Sequence, residues 1–201
     1  MNAIPPDAAL VVVDMQRVFA EATPWQVPTF GDIVPGVARL VAHAPHRAIF
    51  TRFLTPHRPS DAPGRWRPYY DRWRGVTLAE MDPAMLDVVP ALAGFAPPAL
   101  VSAKTTYSSF ASGDFAACVD RLDARTLIFC GVETDVCVYA TAFGAMDRGL
   151  HVVIAADACT GGSVDAHRAL VAHVFPRLED QVAVLTTDRI LAAWAPARIR
   201  A

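Results

Sequence analysis

Lysine is nearly absent from this sequence: Lys104 is the only one, and the remaining 17 of its 18 Lys and Arg residues are arginine. The basic residues are scattered and the formal net charge is −2, so there is no electrostatic footprint for nucleic acid or for an anionic membrane surface. Charge is scarce altogether, at 19% of residues against 53% hydrophobic, which excludes a disordered chain. No apolar run approaches the roughly 18 residues that cross a bilayer. The opening MNAIPPDAAL lacks the basic segment of a secretion signal, and a cytoplasmic location is expected. Cysteines 118, 130, 137 and 159 form no CxxC pair, and a chain of 201 residues needs no disulfide staples, so free thiols are expected. A glycine-rich phosphate loop is also missing: DMQRVF stands after the first strand, where a nucleotide-binding fold would place one.

What is present is a run of short, β-branched apolar segments. ALVVVD (9–14), RAIFTRF (47–53), ALVSA (99–103), TLIFCG (126–131), HVVIAAD (151–157) and QVAVLTT (181–187) are predicted strands. Helical patterns fall between them, near 35–44, 83–93, 112–121, 134–148, 163–174 and 188–194. The alternation predicts an α/β protein: one domain over 1–201, a three-layer α/β/α sandwich with a six-stranded, mainly parallel, Rossmann-like sheet. Residues 55–80 interrupt it with four prolines, five arginines and the aromatics Trp66, Tyr69, Tyr70 and Trp73. Long irregular insertions in compact domains are usually functional. This one either walls a pocket or forms a subunit interface, since Trp, Tyr and Arg serve both.

In doubly wound sheets ligands bind beyond the carboxyl ends of the strands. Three chemically able groups stand there. Asp14 closes the first strand, Lys104 follows the third, and Cys137 comes soon after the fourth. With Thr134 as N-cap, Cys137 falls in the first turn of the next helix, where free N–H groups and the helix dipole favour thiolate. A neighbouring ammonium adds to that effect, and a carboxylate can take and return the thiol proton. Taken singly, each has an ordinary reading as cap, packing residue or solvated charge; their joint occurrence at three strand ends favours a site.

The segments VVVDMQRVF, SAKTTYSSF and GVETDVCVYATAFGAMDRGL resemble, in order and spacing, the signature blocks of the isochorismatase-like cysteine hydrolase superfamily, which includes nicotinamidases and N-carbamoylsarcosine amidases. The resemblance implies a catalytic triad of Asp14, Lys104 and Cys137. It also implies a cis peptide at Val132–Glu133, which would aim the N–H groups of Glu133 and Cys137 at an oxyanion. The expected reaction is hydrolysis of a small amide, carbamoyl or ureido compound through a thioester on Cys137. Vinyl-ether-cleaving isochorismatases generally lack this cysteine. Nicotinamidases carry an Asp-x-His metal cluster after the second strand; TRFLTPH has Arg52 and Thr55 there, and His57 with Asp61 makes a poor site. No metal or cofactor is expected, nor any nucleic-acid or membrane partner, and the resemblance implies a homodimer or homotetramer.

Candidate substrate contacts are Phe19, Arg52, Trp66, Tyr70, Tyr107 and Glu133, with Arg52 suited to a substrate carboxylate or carbonyl. Phe19, Trp25 and Tyr107 either line the pocket or pack in the core. Glu133 either meets a polar substrate or points into solvent. Cys159 and the six histidines are expected in structural or solvated roles. Two competing functions remain: ether hydrolysis, which needs no thiol, and a non-enzymatic binding role.

Overall fold

A computed structural model describes residues 3–197. Six strands form one sheet in the order β3-β2-β1-β4-β5-β6, and every neighbouring pair is parallel. They are β1 (Ala9–Val13), β2 (Ala48–Phe53), β3 (Leu100–Lys104), β4 (Thr126–Val132), β5 (His151–Thr160) and β6 (Val182–Leu185). Every residue of β1 and β4 is buried, which is why they read as continuous apolar runs: helices cover both faces. The helices are α1 (Arg17–Ala20), α2 (Phe30–His43), α3 (Trp66–Arg72), α4 (Pro90–Ala93), α5 (Phe115–Arg121), α6 (Tyr139–Met146), α7 (Val164–Ala169) and α8 (Thr187–Ala193). Among the described residues no helix is long and apolar enough to cross a membrane.

From β1 the chain winds outward through β2 to β3, then crosses back and winds the other way from β4 to β6. The winding reverses between β1 and β4, and a crevice opens above their carboxyl ends. Val13 is in register with Gly131 there. Gly131 has φ 107°, and a Cβ on it would lie 2.2 Å from the Val13 carbonyl oxygen, so this close approach of two backbones requires glycine.

The elements differ from expectation where local chemistry intervenes. α2 begins at Phe30 rather than near residue 35; Pro35 sits inside it and merely forgoes one intrahelical bond. The predicted helix near 83–93 is instead a 3₁₀ turn, Pro83–Leu86, and the single turn α4, because the residue before Pro90 is pushed out of helical geometry. β5 runs past residue 157 to Thr160, re-pairing with β4 after an irregularity between Phe129 and Gly131. β6 stops at Leu185 because the Thr186 side chain caps α8, accepting from the Arg189 N–H. The insertion 55–80 is ordered around α3. The segment at Ile4 meets the end of α8: the Ile4 N–H donates to the Ala193 carbonyl at 2.9 Å, and buried Trp194 lies beside them.

Candidate active site

Asp14 leaves β1 in the left-handed region, with φ 49°. Its carboxylate is anchored from β2: the Thr51 hydroxyl donates to Oδ1 at 2.6 Å and accepts from the Asp14 N–H at 3.1 Å. Lys104 ends β3, which β2 separates from β1, so its stem must cross a gap of about 10 Å, two strand spacings. It does so over the ring of Phe53, its register partner, with Nζ 4.4 Å from the ring centroid. The ammonium then stands 2.7 Å from Asp14 Oδ2 and donates to Cys137 Sγ at 3.2 Å and to the Thr106 carbonyl at 3.2 Å. The Lys104 and Asp14 side chains are 1% and 0% exposed, so this ion pair is sealed from water.

The three groups therefore meet as the strand-end rule anticipates, but the thiol's surroundings correct the sequence expectation. Thr134 is not an N-cap. Residues Thr134–Val138 form a π-helical turn, and the Thr134 hydroxyl is bound to His167 Nδ1 at 2.9 Å. Cys137 is buried, and burial pushes its thiol well above the ordinary range. The Asp14 charge pushes it further, and the Lys104 charge and hydrogen bond only partly offset this. Burial and Asp14 thus favour the thiol form over a resting thiolate. For Lys104 burial alone would lower the pKa, but Asp14 and then Cys137 raise it more, so the ammonium stays charged. Asp14 Oδ2 lies in ion-pair range of that ammonium yet accepts no aligned hydrogen bond, which leaves it a lone pair for the thiol proton. The Val132–Glu133 peptide is cis, as the resemblance implies.

A cavity of about 380 Å³ opens over Cys137. Phe19, Trp25, Phe53, Tyr69, Trp73 and Tyr107 line it, together with Pro24, Gln26, Val136, Glu133 and Gly162. Phe19, Tyr107 and Glu133 are thus at the pocket, as anticipated. Trp66 and Tyr70 stand behind it: Trp66 packs on Tyr107 at 4.7 Å, and Tyr70 is buried against Trp25 and Tyr69. Arg52 is not brought to this pocket. Side chains alternate along a strand, so Thr51 and Phe53 face the site and Arg52 faces away. Its guanidinium pairs with Asp87 at 3.0 Å and donates to the Leu86 carbonyl at 3.1 Å.

Glu133 is half-buried and bound rather than solvated: its Oε1 accepts from the Gly162 N–H at 3.0 Å. Burial raises its carboxyl pKa, the Gly162 N–H opposes this, and Asp135 and Asp14 add to the rise. A Cβ on Gly162 would lie 2.9 Å from Oε1, so glycine leaves room for that bond. Cys159 is packed in the core, its thiol pushed up to about 12, chiefly by burial. His57 and Asp61 are exposed, and the Asp61 carboxylate is occupied by the Arg58 N–H and the Ser60 hydroxyl. Among the described residues no group of three or more His, Cys, Asp or Glu could hold a metal, so the residues present do not fit one.

Sequence reasoning missed two supports. Thr51 is the lone hydroxyl in an otherwise apolar or basic strand, and its odd parity with Phe53 was the available signal. Gln16 is fully buried, accepting from the Phe53 N–H at 2.7 Å and donating to the Phe53 and Leu86 carbonyls at 3.1 and 2.7 Å, which ties β2 to the segment leaving the insertion.

Comparison with known proteins agrees with this architecture. The isochorismatase domain family matches residues 8–189. The isochorismatase family protein YecD of Escherichia coli O157:H7 is 32% identical over 75 residues, 37% of this chain and only 40% of that protein's length. The crystal structure of a cysteine hydrolase from Pseudomonas syringae pv. phaseolicola 1448A is 26% identical, with a TM-score of 0.80 and 96% of each chain covered. The N-carbamoylsarcosine amidase of Thermoplasma acidophilum shares the fold at 19% identity, with a TM-score of 0.71 over 90% of this chain and 96% of that one.

Proposed function

The chain belongs to the isochorismatase family, and on that footing we propose that it is a cysteine-dependent hydrolase cleaving a C–N bond of a small amide, carbamoyl or ureido compound. The observation that carries this reading is the placement of the Lys104 ammonium, 2.7 Å from Asp14 Oδ2 and 3.2 Å from the Sγ of Cys137, which lines an open pocket.

Because burial and Asp14 favour the thiol over the thiolate, proton removal accompanies attack in this mechanism. Asp14 accepts the proton as Sγ bonds to the substrate carbonyl carbon, and the carbonyl electrons move to oxygen. The N–H groups of Glu133 and Cys137 receive that oxyanion. As the oxyanion collapses, the C–N bond breaks and Asp14 returns its proton to the departing nitrogen, leaving a thioester. Water then attacks, Asp14 takes its proton, and the C–S bond breaks with the proton returned to sulfur. Lys104 keeps its charge throughout and holds both neighbours in register. The proposal includes a cytoplasmic setting and a homodimer or homotetramer, the latter read by sedimentation.

Replacing Cys137 by Ser tests the chemistry. Ammonia release across a panel of amides, carbamoyl and ureido compounds should fall to background while the circular dichroism spectrum is unchanged. Persistent ammonia release would sink the thioester; no ammonia from any amide, with a vinyl ether cleaved equally well by the variant, would favour ether hydrolysis, which needs no thiol.

A further inference from the structure

The pocket over Cys137 has an electrostatic bias that goes beyond which bond is cut. Six aromatic side chains and one carboxylate, Glu133, line it, and among the described residues no Arg, Lys or His does. Arg52, the cation suited to a substrate carboxylate, is committed to Asp87 on the other side of β2. Two more carboxylates, Asp14 and Asp135, lie close enough to act on Glu133, and Asp135 Oδ1 is buried without a hydrogen bond. The one ammonium nearby, Lys104, is already shared between Asp14 and Cys137.

An anionic ligand entering this pocket would lose hydration and gain no cationic partner. A cationic one meets Trp and Tyr side chains, whose rings attract cations, together with a carboxylate. Glu133 is prepared for that contact: Gly162 holds Oε1, while Oε2 has no hydrogen bond among the described residues. Trp25 adds an indole N–H that is buried without an acceptor, a place for an oxygen of the same ligand.

We propose that the substrate, on the amidohydrolase reading above, carries a compact alkylammonium group, held between Glu133 and the aromatic wall while its amide or carbamoyl carbon lies at Cys137. Carbamoyl amino acids, with a free carboxylate, are then the wrong charge.

Three probes of nearly equal shape separate charge from size: choline, its uncharged carbon isostere neohexyl alcohol, and the anion of tert-butylacetic acid. Titration calorimetry on the unmodified protein should show choline binding about tenfold tighter than the alcohol, with the anion weakest. In Glu133→Gln the preference for choline over the alcohol should shrink to about threefold or less. Equal or tighter binding of the anion, or no binding by any probe, overturns the proposal. A cation preference in a protein that releases no ammonia from any amide leaves this inference standing and removes only the thioester chemistry. Turnover of carbamoyl amino acids without cation preference does the reverse.

Discussion

At the scale of single residues, the decisive group is a thiol whose surroundings disfavour its ionisation. Its pKa is raised by burial first and by Asp14 second, and lowered by Lys104. Alkylation of Cys137 by iodoacetamide should therefore keep accelerating with pH beyond about 8.5, the ordinary thiol value. Asp14→Asn removes a raising influence and spares the lowering one, so the alkylation profile should move to lower pH. Turnover should nevertheless disappear, because the proton acceptor is gone. Parallel measurement of alkylation rate and ammonia release against pH distinguishes the two effects. Lys104→Arg keeps the charge but replaces a compact ammonium by a wide planar fork in a sealed space. Activity should drop at least about a hundredfold. Lys104→Met should cost about 3–5 kcal/mol in urea unfolding, because it strands the buried Asp14 charge. The meeting of Asp14, Lys104 and Cys137 was legible from sequence because each is an unusual type beyond an apolar strand. The state of the thiol was not, because it depends on burial depth and on a π turn that no residue pattern announces.

At the scale of elements, β2 shows how strand parity sorts chemistry. Thr51 and Phe53 face the site, one anchoring Asp14 and the other carrying the lysine stem, while Arg52 turns to Asp87. The prediction that Arg52 serves the substrate weighed its charge and not its parity. Thr51→Val keeps the shape and leaves Oδ1 of a buried carboxylate without its donor. It should lower stability by about 2 kcal/mol and reduce kcat, and Thr51→Ser should restore both. The comparison of the three proteins by urea unfolding and turnover checks this. The insertion was recognisable from its aromatic content, but which of its rings meet the cavity follows from the turn of α3: Tyr69 and Trp73 line it, and Trp66 and Tyr70 support them.

At the scale of the whole molecule, alternating strands and helices were enough to foresee a doubly wound sheet, because fully buried strands read as unbroken apolar runs. The register across it was not foreseeable, since it is set by backbone contacts such as Gly131 against Val13. Closure of the fold rests on the meeting of Ile4 with Ala193 and Trp194. Trp194 is buried between Ile4 and α2, and its carbonyl is bound to His43 Nε2 at 2.8 Å. Trp194→Ala should lower the unfolding free energy by about 3–5 kcal/mol while leaving turnover per folded molecule unchanged, as urea titration with active-site counting would show. The chemistry of the thiols also extends to the molecule as a whole. Burial is the first cause raising the pKa of Cys118, Cys130, Cys137 and Cys159 alike. Peroxide attacks thiolates, not thiols. On the proposed mechanism, a nucleophile that gives up its proton only as a substrate arrives offers oxidants no standing target, and the protein should outlast dilute hydrogen peroxide that silences enzymes whose cysteines rest ionised.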